Sequence, residues 1–540
     1  MSAQSAIATF TRTITVAAGV FAPGHLGELT QFAPFELVDD VLEQAGGVQR
    51  RLRVLPSRAG VYFVLALGMF AGLGYARVWA KLTAGLRGLE GLEVACPSEK
   101  ALRDLRRRIG VAPLKALFEV VAGPLGWPHG PGIRFCGLRT VAFDGCSSLR
   151  VPATARNHGW LGRIRHPNGF AGYPALRLMA LAETGTRGLL GAAIGAAADG
   201  DEPALARRLL HLLGPGMLVL MDRAYDGAAF LAAVAGTGAQ FLVRGKASRR
   251  PEVLQVLPDG SWLSRIGGLA VRIIEADVTV AGKDGSSCGD SYRLITTLLD
   301  HRVFPAGRVV RLYHERWEIE CAYLALRHTL LEGRVLRSGD PAGLEQETWA
   351  LLTLYQLLRM AMTDAAQSAG ADPDRASFTI ALQAAAEQLT SARDIIPDTP
   401  ALPGEIGAAV LDGLLPARRP RYSARKVKSA ASRYPGRNDD PRPALPAVIT
   451  AVTITITTPA PGRAPRRTRL QRPSPGTRRH RVTTFMTATP HRTWTARQLA
   501  TALNLDYHAL ITELGRWANA GHLTRTSPAT YILANAPQPP

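Results

Sequence analysis

The chain has 540 residues, 46% of them apolar and 20% charged, which is typical of a soluble globular protein of several domains joined by some linker. Lys and Arg number 64 against 43 Asp and Glu, and the resulting formal charge of +21 predicts a polyanionic partner, either nucleic acid or a membrane surface. The five cysteines include no close pair with metal-ligand spacing, and the N-terminus lacks the basic segment of a signal peptide, so we expect reduced thiols in a cytoplasmic protein.

The first region, residues 25–115, has the apolar periodicity of helices, most clearly at 35–42 and 101–108. Ser98 marks the start of the second of these helices. We interpret the region as a helical N-terminal domain that grips either DNA or a partner subunit. Residues 59–76 are uncharged and just long enough to span a membrane. Four glycines and the lack of a second such segment favour a buried core helix, with a membrane anchor as the alternative.

From residue 134 the pattern changes to short apolar strands and helices. The predicted elements are strands at 139–143, 175–182 and 188–197, a helix at 202–213 with Asp201 as its N-cap, a strand at 216–221, a helix at 228–234 and a strand at 239–243. Residues 146–172 are too rich in Gly, Pro, Asn and Arg for regular structure. Three strands followed by alternating helices and strands predict a mixed α/β fold, with helices on the faces of one sheet.

Two aspartates follow apolar strands in this region, Asp144 after the first and Asp222 after the fourth. Either one alone would be an ordinary turn residue or helix cap. A turn-rich, alternating segment at about 245–300 then predicts a β-rich insertion, and helical patterns return at 345–367 and 377–389.

A helix predicted over residues 313–327 places charged groups on an apolar face. At about 100° per residue, a narrow stripe is shared by Tyr313, Arg316, Glu320 and Arg327. Glu315 and Glu318 lie on the opposite side. Charge among apolar residues is costly unless it is paired or binds a metal. Two interpretations explain the stripe. The charged residues form ion pairs at three- and four-residue spacing, or they belong to a functional site.

The C-terminal part begins with a basic Pro/Arg-rich linker at 417–479. Residues 418–481 contain 17 Lys or Arg against two Asp, a net charge of +15. Residues 447–458 predict an isolated strand within this linker. Residues 480–535 then show a helix at 495–503, a helix at 507–520 and two short strands, which predicts a winged helix-turn-helix domain. Its candidate DNA contacts are His508, Thr512, Arg516 and Arg525.

Three carboxylates, Asp144, Asp222 and Glu320, would together form a hard oxygen site suited to Mg²⁺ or Mn²⁺. Two such ions can activate a water or a 3′-hydroxyl and stabilise the leaving oxygen of a phosphodiester. Arg316 and Arg327 on the same helix face would contact phosphate oxygens. No His/Cys set for zinc and no Gly-rich ATP-binding loop occurs in the chain.

The spacing of Tyr313, Arg316, Glu320 and Arg327, preceded by Asp144-Gly145 and Asp222-Arg223, resembles the signature of the insertion-sequence-four family of DDE transposases. The resemblance implies a ribonuclease-H-like catalytic domain at 134–390 and Mg²⁺-dependent strand cleavage and transfer by a dimer at the inverted-repeat ends of double-stranded DNA. It also implies two roles. The metal ligands would be Asp144, Asp222 and Glu320, and the phosphate contacts would be Tyr313, Arg316 and Arg327.

One departure from the family pattern is that the last basic position, usually Lys, is Arg327 here. Positive charge is kept, although a bidentate guanidinium differs from an ammonium. The alternative function is that of a catalytically inactive transposase relic, retained as a DNA-binding protein for its basic linker and winged helix.

Overall fold

The structure is a computed structural model that falls into two compact units, residues 1–460 and residues 461–540. It describes residues 25–48, 53–85, 93–162, 173–246, 248–283, 287–391, 404–417, 449–459, 478–519 and 522–533, together with a few isolated short pieces. Most of the basic linker predicted at 417–479 lies outside these residues.

The first unit begins with a group of helices around one apolar helix. These are α1 (Phe35–Gln44), α2 (Ser57–Met69), α3 (Tyr75–Leu82), α4 (Glu99–Ile109) and α5 (Ala112–Val121). Helix α2 is buried on almost every side and packs against α1, α3 and α4. The apolar stretch 59–76 is thus a core element, but its helix ends at Met69. In the described part of the chain, no helix is long and apolar enough to cross a membrane.

A central sheet follows the helices. Its first five strands are β1 (Leu138–Arg150), β2 (Ala175–Glu183), β3 (Leu189–Gly195), β4 (Met217–Met221) and β5 (Gln240–Arg244). Their order across the sheet is β3-β2-β1-β4-β5. β2 is antiparallel to β1 and β3, whereas β1, β4 and β5 are mutually parallel. This order and these directions are those of a ribonuclease-H-like core, so the predicted mixed α/β fold is confirmed.

Strand β1 is much longer than the predicted strand at 139–143. It runs to Arg150, with a bulge after Cys146, because its pairing with β2 continues that far. Helix α6 (Ala155–Leu161) follows and is capped by the Thr154 hydroxyl. The prediction that residues 146–172 lack regular structure is therefore wrong for the end of β1 and for α6, which lie within residues 146–161.

Helices α7 (Glu202–Arg207) and α8 (Ala228–Gly236) connect β3 to β4 and β4 to β5. α7 is shorter than the helix predicted at 202–213, since a 3-10 turn takes over before β4. The Asp201 carboxylate accepts a hydrogen bond from the Ala204 N–H at 3.0 Å, so the predicted N-cap is confirmed.

The β-rich insertion extends the same sheet beyond β5. Its strands are β6 (Gln255–Val256), β7 (Trp262–Ile266), β8 (Leu269–Gly282) and β9 (Ser287–Thr296). β9 pairs antiparallel with β5. Strand β10 (Ile449–Ile456), from the predicted linker, pairs antiparallel with β8. The prediction of an isolated strand at 447–458 is therefore wrong, because the insertion offers it a partner that is remote in sequence.

The helix predicted over residues 313–327 is broken. Helix α9 (Ala306–Tyr313) is followed by a 3-10 turn (His314–Arg316), helix α10 (Trp317–Leu324) and a π-helical turn (Ala325–Leu330). The prediction of one continuous helix is wrong, and the changes in winding rotate side chains away from a uniform 100° step. Helices α11 (Pro341–Ser368), α12 (Phe378–Ser391) and α13 (Glu405–Asp412) follow in this unit.

The second unit has its own apolar core. Its elements are α14 (Arg478–Thr487), β11 (Trp494–Thr495), α15 (Ala496–Leu503), α16 (Tyr507–Asn519), β12 (Leu523–Ser527) and β13 (Thr530–Leu533). A capping box between Thr495 and Gln498 begins α15. The three short strands form one sheet in the order β11-β13-β12. Two helices joined by a short turn and followed by this sheet form the predicted winged helix-turn-helix.

Candidate active site

Asp144 and Asp222 come to the same level on adjacent strands. β1 and β4 are parallel, and their register pairs Ala142 with Leu220. Asp144 stands two residues beyond Ala142 in β1, and Asp222 stands two residues beyond Leu220, directly after the end of β4. Because side chains alternate along extended backbone, both aspartates point to the same face as Ala142 and Leu220. Ala142 and Leu220 belong to the same apolar layer as Ile319 of α10. The two carboxylates therefore lie at one sheet edge, on the face that α10 covers.

Asp222 is also a helix cap. Its Oδ1 accepts a hydrogen bond from the Ala224 N–H at 2.6 Å and so begins a 3-10 turn at Arg223–Tyr225. Tyr225 is buried, and its ring stacks on Phe143 with centroids 6.3 Å apart. The turn thereby fixes the backbone at Asp222, and one carboxylate oxygen takes no part in this capping bond.

Helix α10 brings Glu320 to the same edge of the sheet. The Tyr323 hydroxyl donates to the backbone oxygen of Asp144 at 2.7 Å and ties α10 to β1. Glu320 accepts from the Arg316 guanidinium at 3.0 Å, and its side chain is 33% exposed against 5% for Arg316. The ion-pair interpretation of the charged stripe is thus correct for this pair, and the arginine is the buried partner.

The charges around Asp144 are unbalanced. Burial raises the pKa of Asp144 to about 7, the Arg316 cation opposes this rise, and the negative charges of Glu320, Asp222 and Glu202 add to it. Among the residues that the structure describes, no three acidic, histidine or cysteine side chains are already arranged to hold a metal ion. The carboxylates therefore influence one another but are not arranged as a ready-made metal site.

Arg327 and Tyr313 differ in their access to solvent. The Arg327 Nη1 donates to the Ser148 hydroxyl of β1 at 2.5 Å, and Arg327 is half-buried at the rim. Tyr313 is 6% exposed and packs edge-on against Tyr292, with centroids 6.0 Å apart. Burial raises the pKa of the Tyr313 hydroxyl, and the neighbouring Arg316 charge opposes the rise. Tyr313 thus lies beneath the surface, and Arg327 lies at it.

The opposite face of α10 is anchored by a charge network that sequence reasoning missed. Glu318 is 2% exposed and accepts from the Arg187 Nε at 2.6 Å. Arg187 also forms an ion pair with buried Asp374, and its backbone oxygen accepts from the Tyr355 hydroxyl. Arg187 lies in the β2–β3 turn with φ of 62°, in the left-handed region that favours glycine. No sequence signal marked it, since the turn resembles an ordinary polar connection.

A second missed residue is Glu202, the first residue of α7, whose side chain lies against Gly145 beside Asp144. Sequence analysis placed it only at the start of a helix. The sequence feature that could have pointed to it is an acidic residue directly after Asp201, the N-cap of the helix that follows the third strand.

In the winged helix-turn-helix unit, the predicted DNA-contacting residues share one surface of α16. His508, Thr512 and Arg516 are exposed and stand four residues apart, so they line one face of that helix. Arg525 is exposed on β12, in the wing. The unit thus presents a polar helix face and a basic wing.

Comparison with known proteins identifies the family. Residues 23–119 match the family model described as insertion element 4 transposase N-terminal, and residues 141–357 match that of the transposase DDE domain, so that the two span more than half of the chain. The chain is 28% identical over 316 residues to the transposase InsG for insertion sequence element IS4 of Escherichia coli (strain K12), covering 56% of this chain and 69% of that protein.

Among solved structures, a synaptic complex of piggyBac transposase with hairpin DNA aligns over 73% of this chain and 86% of that one, with a TM-score of 0.37 and 10% identity. That likeness is too remote to support a conclusion. On the two family matches, the chain belongs to the insertion-sequence-four family of DDE transposases, whose function is transposition.

Proposed function

We propose that this protein cleaves DNA strands at the inverted-repeat ends of an insertion sequence and joins them to target DNA, as a cut-and-paste transposase. The observation that carries the proposal is the parallel register of β1 and β4, which sets Asp144 and Asp222 two residues beyond the Ala142–Leu220 pair, with Glu320 brought to the same edge by α10. Three carboxylates on rigid elements suit chemistry that depends on positioning and charge.

The donor set fits Mg²⁺ or Mn²⁺, and we propose two such ions. Oxygen ligands from Asp144, Asp222 and Glu320 are those that hard divalent cations prefer. Burial raises the pKa of Asp144 and the neighbouring carboxylates add to the rise, so a cation there would relieve their repulsion. When bound, such ions supply activation of the attacking water or 3′-hydroxyl and stabilisation of the leaving oxygen.

Arginines beside the acids suit the phosphate groups of DNA. Arg327 lies at the rim and contacts only a hydroxyl and a backbone oxygen among its described partners, so it can turn to a phosphate. Arg316 is buried against Glu320, and Tyr313 lies beneath it. We therefore propose that Arg327 contacts the DNA backbone, that Arg316 faces the scissile phosphate, and that Tyr313 acts by supporting Arg316.

Double-stranded DNA is the proposed partner, bound by a homodimer. The winged helix-turn-helix supports DNA binding, since His508, Thr512 and Arg516 line an exposed face of α16, the helix that such domains place in the major groove. Arg525 of the wing would contact the adjacent backbone.

The test of the proposed function is cleavage at the protein's own DNA ends. A duplex carrying the inverted repeat that flanks the gene should be nicked in Mg²⁺ and left intact in EDTA. The Asp222→Ala protein should bind this duplex without cleaving it. Unchanged cleavage by Asp222→Ala would reject the proposed site, and DNA binding without cleavage at any metal concentration by the wild type would favour the inactive relic.

The basic segment at the start of the second unit predicts a strong salt dependence of DNA binding. Residues 461–481 contain eight Arg and no acidic residue. Because β10 is part of the first unit, a truncation that removes this segment should start at Pro461 rather than at the beginning of the predicted linker. Each phosphate contact contributes about 0.9 to the slope of log affinity against log salt. We expect removal of residues 461–540 to lower the slope by several units in a titration with non-specific DNA. An unchanged slope would show that the segment does not contact phosphates.

A further inference from the structure

We propose that Glu202 is a fourth carboxylate of this site and faces the same divalent cation as Asp144. The inference rests on the proposed metal-dependent function and adds a ligand that the three-acid motif does not contain. Glu202 would reach the cation from α7, on the opposite side of the sheet from Glu320.

The close packing of Glu202 on Gly145 supports the proposal. A Cβ built on Gly145 would lie 2.8 Å from the Glu202 Cγ, Cδ and Oε1 atoms, closer than real side-chain contacts allow. Glycine at 145 therefore lets the Glu202 carboxyl group approach the backbone next to Asp144.

Helix α7 holds Glu202 in place. The Asp201 cap fixes the first turn, and Leu205 and Ala206 bury the other side of α7 in the apolar layer behind β1. The same helix packs against β1 and against the turn at Arg223–Tyr225. Glu202 thus stands on a rigid element that contacts the segments carrying both aspartates.

The charge count supports a cation between these groups. The negative charges of Glu320, Asp222 and Glu202 all act on Asp144, and the positive charge of Arg316 opposes them. Two divalent ions carry four positive charges, which four carboxylates neutralise more fully than three do. The repulsion between Glu202 and Asp144 would become attraction towards a shared cation.

The experiment measures Mn²⁺ binding to the full-length protein by electron paramagnetic resonance, in parallel with the Mg²⁺ dependence of cleavage. Glu202→Gln keeps the shape of the side chain and removes its charge. Glu119→Gln is the matched control, since Glu119 is exposed on α5 and pairs only with Lys115 among the described residues. We expect Glu202→Gln to weaken Mn²⁺ binding by about tenfold or more and to raise the Mg²⁺ concentration for half-maximal cleavage similarly. Glu119→Gln should match the wild type, and Glu202→Asp should recover part of the affinity.

The two proposals fail in different ways. If Glu320→Gln abolishes cleavage while Glu202→Gln binds Mn²⁺ as tightly as Glu119→Gln does, the fourth carboxylate is rejected and the proposed function stands. If Glu202→Gln weakens Mn²⁺ binding although the wild type cleaves no DNA, Glu202 is a metal ligand and the proposed function is rejected. Equal Mn²⁺ affinity in all variants rejects Glu202 in either case.

Discussion

The Glu320→Gln protein is expected to cleave inverted-repeat DNA roughly a thousandfold more slowly than the wild type, or slower still, while it retains DNA binding. Glutamine keeps the size of the side chain but removes the charge that a divalent cation needs. Glu320 is one-third exposed, and its pair with Arg316 is a single hydrogen bond of 3.0 Å, so the fold should tolerate the change. Single-turnover cleavage of a labelled end, with binding measured on the same duplex, separates the two effects.

Glu332→Gln is the matched control for this variant. Glu332 follows the π-helical turn after α10, and its side chain is exposed and paired with Arg334. This control should cleave at the wild-type rate. A Glu320→Gln protein that cleaves as fast as the control would remove Glu320 from the site.

The second large effect is on stability. Arg187→Ala would leave Glu318 and Asp374 buried without their cation, and breaking a buried ion pair in this way costs roughly 3–5 kcal/mol. The three side chains are at most 4% exposed, so solvent cannot replace the lost partner. Urea denaturation of the full-length protein should show the loss.

A surface pair provides the comparison for Arg187. Arg208 pairs with Asp199 at 2.5 Å, and the two side chains are 48% and 31% exposed. Removing Arg208 should therefore change stability by only about 0–1 kcal/mol. Equal stability of Arg187→Ala and Arg208→Ala would show that the buried network does not hold α10 in place.

The sequence predicted the parts of the fold and of the site that depend on local patterns. Short apolar strands marked the parallel core and placed Asp144 and Asp222 at the same level of neighbouring strands, although β1 continues past Asp144 to Arg150 and only Asp222 directly follows its strand. Asp144 and Asp222 could therefore be found without coordinates. Glu320 came from its spacing to Arg316, which lies four residues earlier in the 3-10 turn before α10.

What the sequence could not predict depends on contacts between remote segments. The pairing of β10 with β8, the extension of β1 along β2 and the burial of Glu318 all require partners far away in the chain. A uniform helical step also failed, because the winding changes to 3-10 at His314–Arg316 and to π at Ala325–Leu330. Glu202 was missed because its relation to Asp144 exists only across a packed helix and sheet.

The central claim is that one divalent-metal site is built from Asp144, Asp222 and Glu320. Its most direct test is anomalous diffraction from a crystal of the full-length protein with a bound DNA end and Mn²⁺. We predict manganese within direct coordination distance of carboxylate oxygens from all three residues. Manganese bound elsewhere, with these carboxylates left uncoordinated, would contradict the claim.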